Sequence, residues 1–211
     1  MASHTCYNTP NICFLCVLEL ILYMLNLILL YQYIIFNRKN RFYFMIAMNL
    51  IEVKECMEKL LLKDCFDSFS FIEGNITTFA TYTIDGYLKK DFYNSDEQET
   101  LQLSDQQYAR WGTMRDYCFY LIKGKRTPLN FKFVLSLSTA NTTKLLARDL
   151  PHIDPSTIQG LYLNFQYANG TLECITGTST TIFTMDKTLD HYWDEVAMKY
   201  LKQKEIAFEK L

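Results

Sequence analysis

The chain has 211 residues, enough for one domain with a sizeable core and too few for two ordinary ones. Aromatic residues make up 15%, charged residues 21%, and only 7 Gly and 4 Pro occur, which excludes a disordered or fibrous chain. The net charge is −2, with residues 1–44 at +2 and the remainder at −4, so the bulk of the chain has no overall electrostatic reason to bind nucleic acid.

Residues 12–36 are apolar except for Glu19, Asn26 and Gln32. As a helix this stretch spans ~37 Å, against about 30 Å of bilayer hydrocarbon. It has no basic leading region and no small-residue cleavage site, so it does not read as a cleaved signal peptide. Arg38, Lys39 and Arg41 follow it, and by the positive-inside rule they hold the C-terminal part in the cytoplasm. A second reading stays open. The run is rich in Ile, Leu, Tyr, Asn, Phe and Lys, as translated AT-rich non-coding DNA is, and Met45 and Met48 are alternative starts. A membrane role exists only if residues 12–36 are translated. Cys13 and Cys16 form a C-x-x-C inside this run, with no second pair to make a metal site. The total of seven cysteines is odd, and the scatter of Cys56, Cys65, Cys118 and Cys174 points to free thiols in a reducing compartment.

After a possible strand at 46–50, helical spacing of Val53, Met57, Leu60 and Leu61 predicts a helix over 51–63, with Asn49 as its cap. Alternation predicts strands at 66–72 and 76–84, with a turn at Glu73-Gly74-Asn75 between them. Asp85-Gly86 is a hairpin signal, returning as a short strand over 87–93 with Lys89 and Lys90 on its edge. Residues 94–103 read as an acidic linker. Ser104 and Gln107 make a capping box for a helix with Tyr108, Trp111, Met114, Cys118 and Leu121 on one face, stopped by Gly124.

Leu129, Phe131, Phe133, Leu135 and Leu137 mark the clearest strand. A helix over 139–150 with Leu145 and Leu146 inward follows, broken at 151–156 by Asp154-Pro155. Leu161, Leu163, Phe165 and Tyr167 alternate again, and Asn169-Gly170 turns the chain into strands at 171–176 and 180–184. Asp186 or Thr188 caps a last helix with a stripe of Leu189, Trp193, Val196 and Tyr200, and an i,i+4 pair of Glu195 and Lys199 outside. The expected fold is α+β, mainly an antiparallel sheet with packed helices, behind an N-terminal hydrophobic helix. The expected division is residues 1–44 and a single domain over 45–211. Two β-α-β-β-β halves are discernible in the order of elements, the pattern of a DNA sliding-clamp domain.

No residue set carries a catalytic or metal signature, and no cofactor is implied. Lys123, Lys125 and Arg126 surround Gly124 and form an anion-binding candidate. They close a helix and lack the upstream glycine of a P-loop, and cations at a helix C-terminus are favourable without any ligand. Asp85 is a candidate acid or base with no identifiable partner, and turn formation accounts for Asp-Gly. His152 and His191 have no neighbours at metal-ligand spacing. Asn75, Asn141 and Asn169 begin N-x-[ST] sequons that matter only in an exocytic lumen.

From Met48 onward the chain resembles a clostridial (Firmicutes) family of unknown function, domain-of-unknown-function family 5721. The resemblance rests on the run from Thr78 to Gly86 (TFATYTIDG), on Leu121 to Pro128 (LIKGKRTP), on Gly160 to Asn164 (GLYLN) and on Trp193-Asp194-Glu195. It covers about residues 48–211 and implies no activity. Three readings follow. The first is a non-enzymatic binding or scaffold module with a protein partner. The second is an enzyme or binder acting on an anionic, phosphorylated small molecule. The third is a clamp-like protein associated with nucleic acid.

Overall fold

The structure is a computed structural model and describes residues 43–211. The apolar run at 12–36, the Cys13–Cys16 pair and the basic cluster at 38–41 lie outside the described residues. Among the described residues no helix is long and apolar enough to cross a membrane.

Among the described residues seven strands form one antiparallel sheet: β1 (Tyr43–Leu50), β2 (Ser70–Thr77), β3 (Thr81–Asp85), β4 (Asn130–Ser136), β5 (Ile158–Ala168), β6 (Thr171–Thr180) and β7 (Phe208–Lys210). Their order across the sheet is β3-β2-β4-β5-β6-β1-β7. Five helices accompany them: α1 (Val53–Leu61), α2 (Ser95–Thr100), α3 (Trp111–Ile122), α4 (Thr139–Asp149) and α5 (Thr188–Gln203). The fold is α+β, as expected. The two equivalent halves are not: only β2 and β3 follow α1 before the next helix, and β1 is carried across the sheet to pair with β6 and β7.

Register assigns the two faces. Gly74, Phe133, Phe165 and Cys174 lie in one row across β2, β4, β5 and β6, Met48 continues it on β1, and Phe71 stands in the next row opposite Leu135. Period-two alternation puts Phe131, Leu135, Leu161, Leu163 and Leu172 on this same face. α1, α3, α4 and α5 cover it with Leu60, Trp111, Cys118, Leu146, Leu189, Trp193, Ala197 and Leu201, and all of these side chains join one buried cluster. Trp111 sits against Phe71 and Phe133, with ring centroids 5.4 and 5.2 Å away. Its Nε1 donates to the Leu60 carbonyl at 2.8 Å, one of the carbonyls that the end of α1 leaves unpaired. The opposite face carries Glu73, Asn75, Lys132, Gln166 and Glu173 by the same register.

Several local expectations are corrected. Glu73-Gly74-Asn75 is not a turn but the middle of β2. Gly74 is there for space, since a Cβ would stand 2.8 Å from Phe71 Cζ and 3.2 Å from Phe133 Cδ1. The hairpin falls at residues 78–80, where the Thr78 amide donates to the Ala80 carbonyl. Asp85-Gly86 ends β3 without a hairpin. A Cβ on Gly86 would lie 1.9 Å from the Phe71 carbonyl oxygen, so the glycine permits a close backbone passage. Residues 87–93 pair only at Tyr87, with Tyr108, before a 3₁₀ turn at Lys90–Phe92. The linker is in fact α2, opened by a capping box of Asn94 and Glu97. Ser104 and Gln107 cap nothing, because α3 begins at Trp111. Asn49 belongs to β1, and α1 has no side-chain cap. Gly124 does not adopt a left-handed conformation. Residues 171–176 and 180–184 are not two strands: β6 runs unbroken to Thr180 and residues 181–187 form a loop. Glu195 and Lys199 form no ion pair. Asn169-Gly170 does turn as expected, with φ of 52° and 81°.

Candidate functional site

The sequence-derived candidates come first. Lys123 places its Nζ 4.0 Å from the centroid of the Tyr120 ring. Lys125 and Arg126 are exposed and have no ion-pair partner among the described residues. This loop leads into Leu129, whose amide donates to Thr77 at the tip end of β2. Asp85 lies at the far end of β3, ~14 Å along the strand. Its Oδ1 accepts from the Tyr87 amide at 2.9 Å, a turn-forming bond. The fold therefore does not bring Asp85 together with the three cations. Among the described residues no group of three or more His, Cys, Asp or Glu is placed to hold a metal ion. Cys56, Cys65, Cys118 and Cys174 are free thiols. Burial pushes Cys56 up to about 11 and Cys118 up to about 12, away from reactive thiolate chemistry.

An apolar groove of about 310 Å³ lies between α4, α5 and the covered face of the sheet. Its walls are Phe69, Leu137, Leu145, Leu163, Trp193, Val196, Ala197 and Tyr200, and Ser68, Asn141, Lys144 and Arg148 complete its lining. The volume lies at the lower end of the range for small-molecule sites, and the apolar wall with few polar groups is their usual make-up. Leu163, Trp193 and Ala197 line the groove and are almost wholly buried.

Hydrogen bonds fix the walls. Trp193 Nε1 donates to the Tyr162 carbonyl at 2.9 Å. The Tyr200 hydroxyl donates to the Cys65 carbonyl, and burial raises the Tyr200 phenol to about 12. Phe69 meets the Tyr200 ring edge-on at 5.5 Å. α5 is held to β6 by two carboxylates one helical turn apart. Thr176 Oγ1 donates to Asp194 at 2.5 Å and Thr178 Oγ1 donates to Asp190 at 2.7 Å. Burial raises the Asp194 carboxyl above its usual range, although the Thr176 hydroxyl opposes that shift. Thr176 Oγ1 also accepts from the Ile46 amide at 3.1 Å, where β1 is bulged against β6.

The two rim cations differ. Arg148 forms a two-pronged bond to Asp149, at 2.9 and 2.7 Å, and Tyr192 donates to the same carboxylate. Those bonds hold Asp149 down to about 2. Lys144 is exposed and has no ion-pair partner among the described residues. Sequence reasoning missed this whole set. The available signal was the alternation of Thr176 and Thr178 on a covered face, opposite Asp190 and Asp194 at i,i+4.

Fold and groove together define the chain as an α+β antiparallel-sheet protein whose helices cover one face and leave an apolar groove open. Residues 59–209 match the model of a family of unknown function, DUF5721, and the chain belongs to that family. No curated protein and no solved structure matches it.

Proposed function

We propose that this chain is a non-enzymatic binding module whose groove between α4 and α5 takes a small ligand with an apolar body and an anionic group. The observation that carries this reading is an open, apolar-walled groove with an unpaired cation, Lys144, at its rim. The apolar body would lie against Leu163, Trp193 and Val196, and the anion would meet Lys144. Nothing in the groove pairs a nucleophile with a base, which favours binding over catalysis. The loop of Lys123, Lys125 and Arg126 is a weaker anion site, because it adds no concave apolar surface to its charge.

The test is a titration of octanoate into the full chain held in lipid nanodiscs, followed by tryptophan emission, since Trp193 lines the groove. A saturable change is expected. Val196→Phe, which fills the groove, should abolish it, and Lys144→Glu should weaken it about fivefold. Replacing Lys123, Lys125 and Arg126 together by Ala should leave it unaltered. An emission change that persists undiminished in Val196→Phe would rule out the groove.

We also read residues 12–36 as a single membrane anchor, with Arg38, Lys39 and Arg41 keeping the folded part on the cytoplasmic side. What supports this reading is the length and apolarity of the run and the basic cluster that follows it. Flotation of the full chain with lipid vesicles is the test, and its absence would refute the anchor.

A further inference from the structure

One end of the sheet gathers three parts of the chain. Phe79 stands at the tip of the β2–β3 hairpin. The Leu129 amide donates to the Thr77 carbonyl at 2.8 Å, and Asn130 pairs with Thr77 on one side and Ala168 on the other. The Asn169-Gly170 turn therefore lies at this end too. α3 packs on β2 and begins beside Phe69, whose carbonyl accepts from the Trp111 amide. The chain that leaves α3 returns at Leu129, beside Thr77, so the C-terminal end of the helix points the same way.

What collects here is aromatic and basic. Phe79 is 93% exposed, Tyr120 69%, Leu129 67% and Tyr117 66%. Lys123, Lys125 and Arg126 are exposed in the same stretch. Residues 77–81, 117–130 and 167–172 hold these three cations and no Asp or Glu, in a domain whose net charge is −4. The nearest acid in sequence is Asp116, one residue before Tyr117. The helix dipole does not account for the whole cluster, because its pull fades within the last turn and Lys125 and Arg126 lie beyond Ile122, where α3 ends.

The surface is also held in shape. The Thr78 amide donates to the Ala80 carbonyl at 2.9 Å, and the Thr77 and Thr81 hydroxyls are bonded at 3.2 Å across the base of the hairpin. Phe79 forms a T-shaped pair with Tyr82, with centroids 6.3 Å apart, and Lys123 Nζ stands 4.0 Å from the centroid of Tyr120. Cations beside exposed rings are what a single strand of nucleic acid requires, since the cations meet phosphates and the rings stack on bases. A duplex keeps its base faces hidden, and an acidic peptide would engage the cations but offer the rings no row of planar partners. We infer that this end of the sheet binds single-stranded nucleic acid, with Lys123, Lys125 and Arg126 on the phosphates and Phe79 and Tyr120 against the bases. The groove between α4 and α5 contains none of these residues, so this surface stands or falls independently of it.

The experiment follows the anisotropy of a fluorescein-labelled oligothymidylate of about 12 nucleotides. It is added to the full chain held in phosphatidylcholine nanodiscs, whose lipid carries no net charge to compete. Saturable binding is expected, with log affinity falling against log salt at a slope of about −2 for three phosphate contacts. Replacing Lys123, Lys125 and Arg126 together by Ala should weaken binding ~10-fold or more and flatten that slope. Phe79→Ala should weaken it about fivefold or more at an unaltered slope, while Phe79→Trp, which keeps a ring, retains it. Arg38, Lys39 and Arg41 are the same in every variant, so they cannot produce these differences. Absence of saturable binding by the parent overturns the inference, as does binding undiminished in the triple variant or in Phe79→Ala with Tyr120→Ala. Displacement of the labelled strand by an oligoglutamate of equal charge as readily as by unlabelled strand overturns it in favour of an acidic protein partner.

Discussion

Replacing Thr176 by Val keeps the volume and shape of a fully buried side chain and deletes one hydroxyl. Two groups lose a partner: the Asp194 carboxylate, 2.5 Å away, and the Ile46 amide at 3.1 Å. A buried polar group left unpaired costs ~1–3 kcal/mol, more when it is charged. Both groups here are partly buried, so we expect Thr176→Val to destabilise by about 2 kcal/mol at pH 7. The loss has a pH signature. Burial raises Asp194 above the ordinary carboxyl range, so the folded protein holds its proton more tightly than the unfolded chain does. That contribution to stability is full below the unfolded value of about 3.9 and is lost as pH rises through the folded one. The Thr176 hydroxyl favours the charged form, so deleting it raises the folded value further and deepens the loss. The gap between Thr176→Val and the parent should therefore be small near pH 3 and widen toward pH 7. Equilibrium urea denaturation at both pH values measures it, and Thr176→Ser should restore most of the stability. A gap under ~0.5 kcal/mol at pH 7, or one that does not change with pH, refutes the account of how α5 is docked.

Two further substitutions probe the frame behind the groove. Trp111→Phe keeps an aromatic ring against Phe71 and Phe133 but leaves the Leu60 carbonyl unpaired, for a loss of ~2–4 kcal/mol including the packing deficit. The urea midpoint should fall by about 1–2 M, and an unmoved midpoint would show that the carbonyl is otherwise satisfied. Gly86→Ala places a methyl 1.9 Å from the Phe71 carbonyl oxygen, a clash with backbone that no rotamer relieves. We expect a loss of about 3 kcal/mol or more, visible as a lowered thermal midpoint, and parental melting would contradict the close passage.

Where the sequence was legible, a single physical pattern dominated. In β4 and β5 the residues facing the helices, Phe131, Phe133, Leu135, Leu161, Leu163 and Phe165, recur at every second position because that face is the core, and Asn169-Gly170 turns because both residues adopt positive φ. Several of the errors lie between Phe66 and Tyr108, and two of them share a cause. Glycine signals a turn when nothing else is known, yet Gly74 and Gly86 answer to what packs over them: two phenylalanine rings in one case and a neighbouring backbone in the other. Phe71 is close to Gly74 in sequence, but Phe133 is 59 positions away, so the crowding over this glycine cannot be weighed locally.

The groove was illegible for the same reason in stronger form. Its walls come from Phe69, Leu163 and Trp193, residues that in sequence read only as core, and which core residues face a void is decided by how α4 and α5 diverge above the sheet. The two ends of the sheet follow a different logic. A run such as Ile182, Phe183, Met185 reads as strand when taken alone, because exposed and buried apolar residues share one alphabet. Only the register of β5 against β6, with Ile158 opposite Thr180, shows that β6 ends there and leaves these side chains exposed. A charge at position 183 therefore discriminates. Phe183→Asp should leave the urea midpoint of the folded domain unmoved, the side chain being mostly exposed, whereas the same change at buried Phe165 should unfold it.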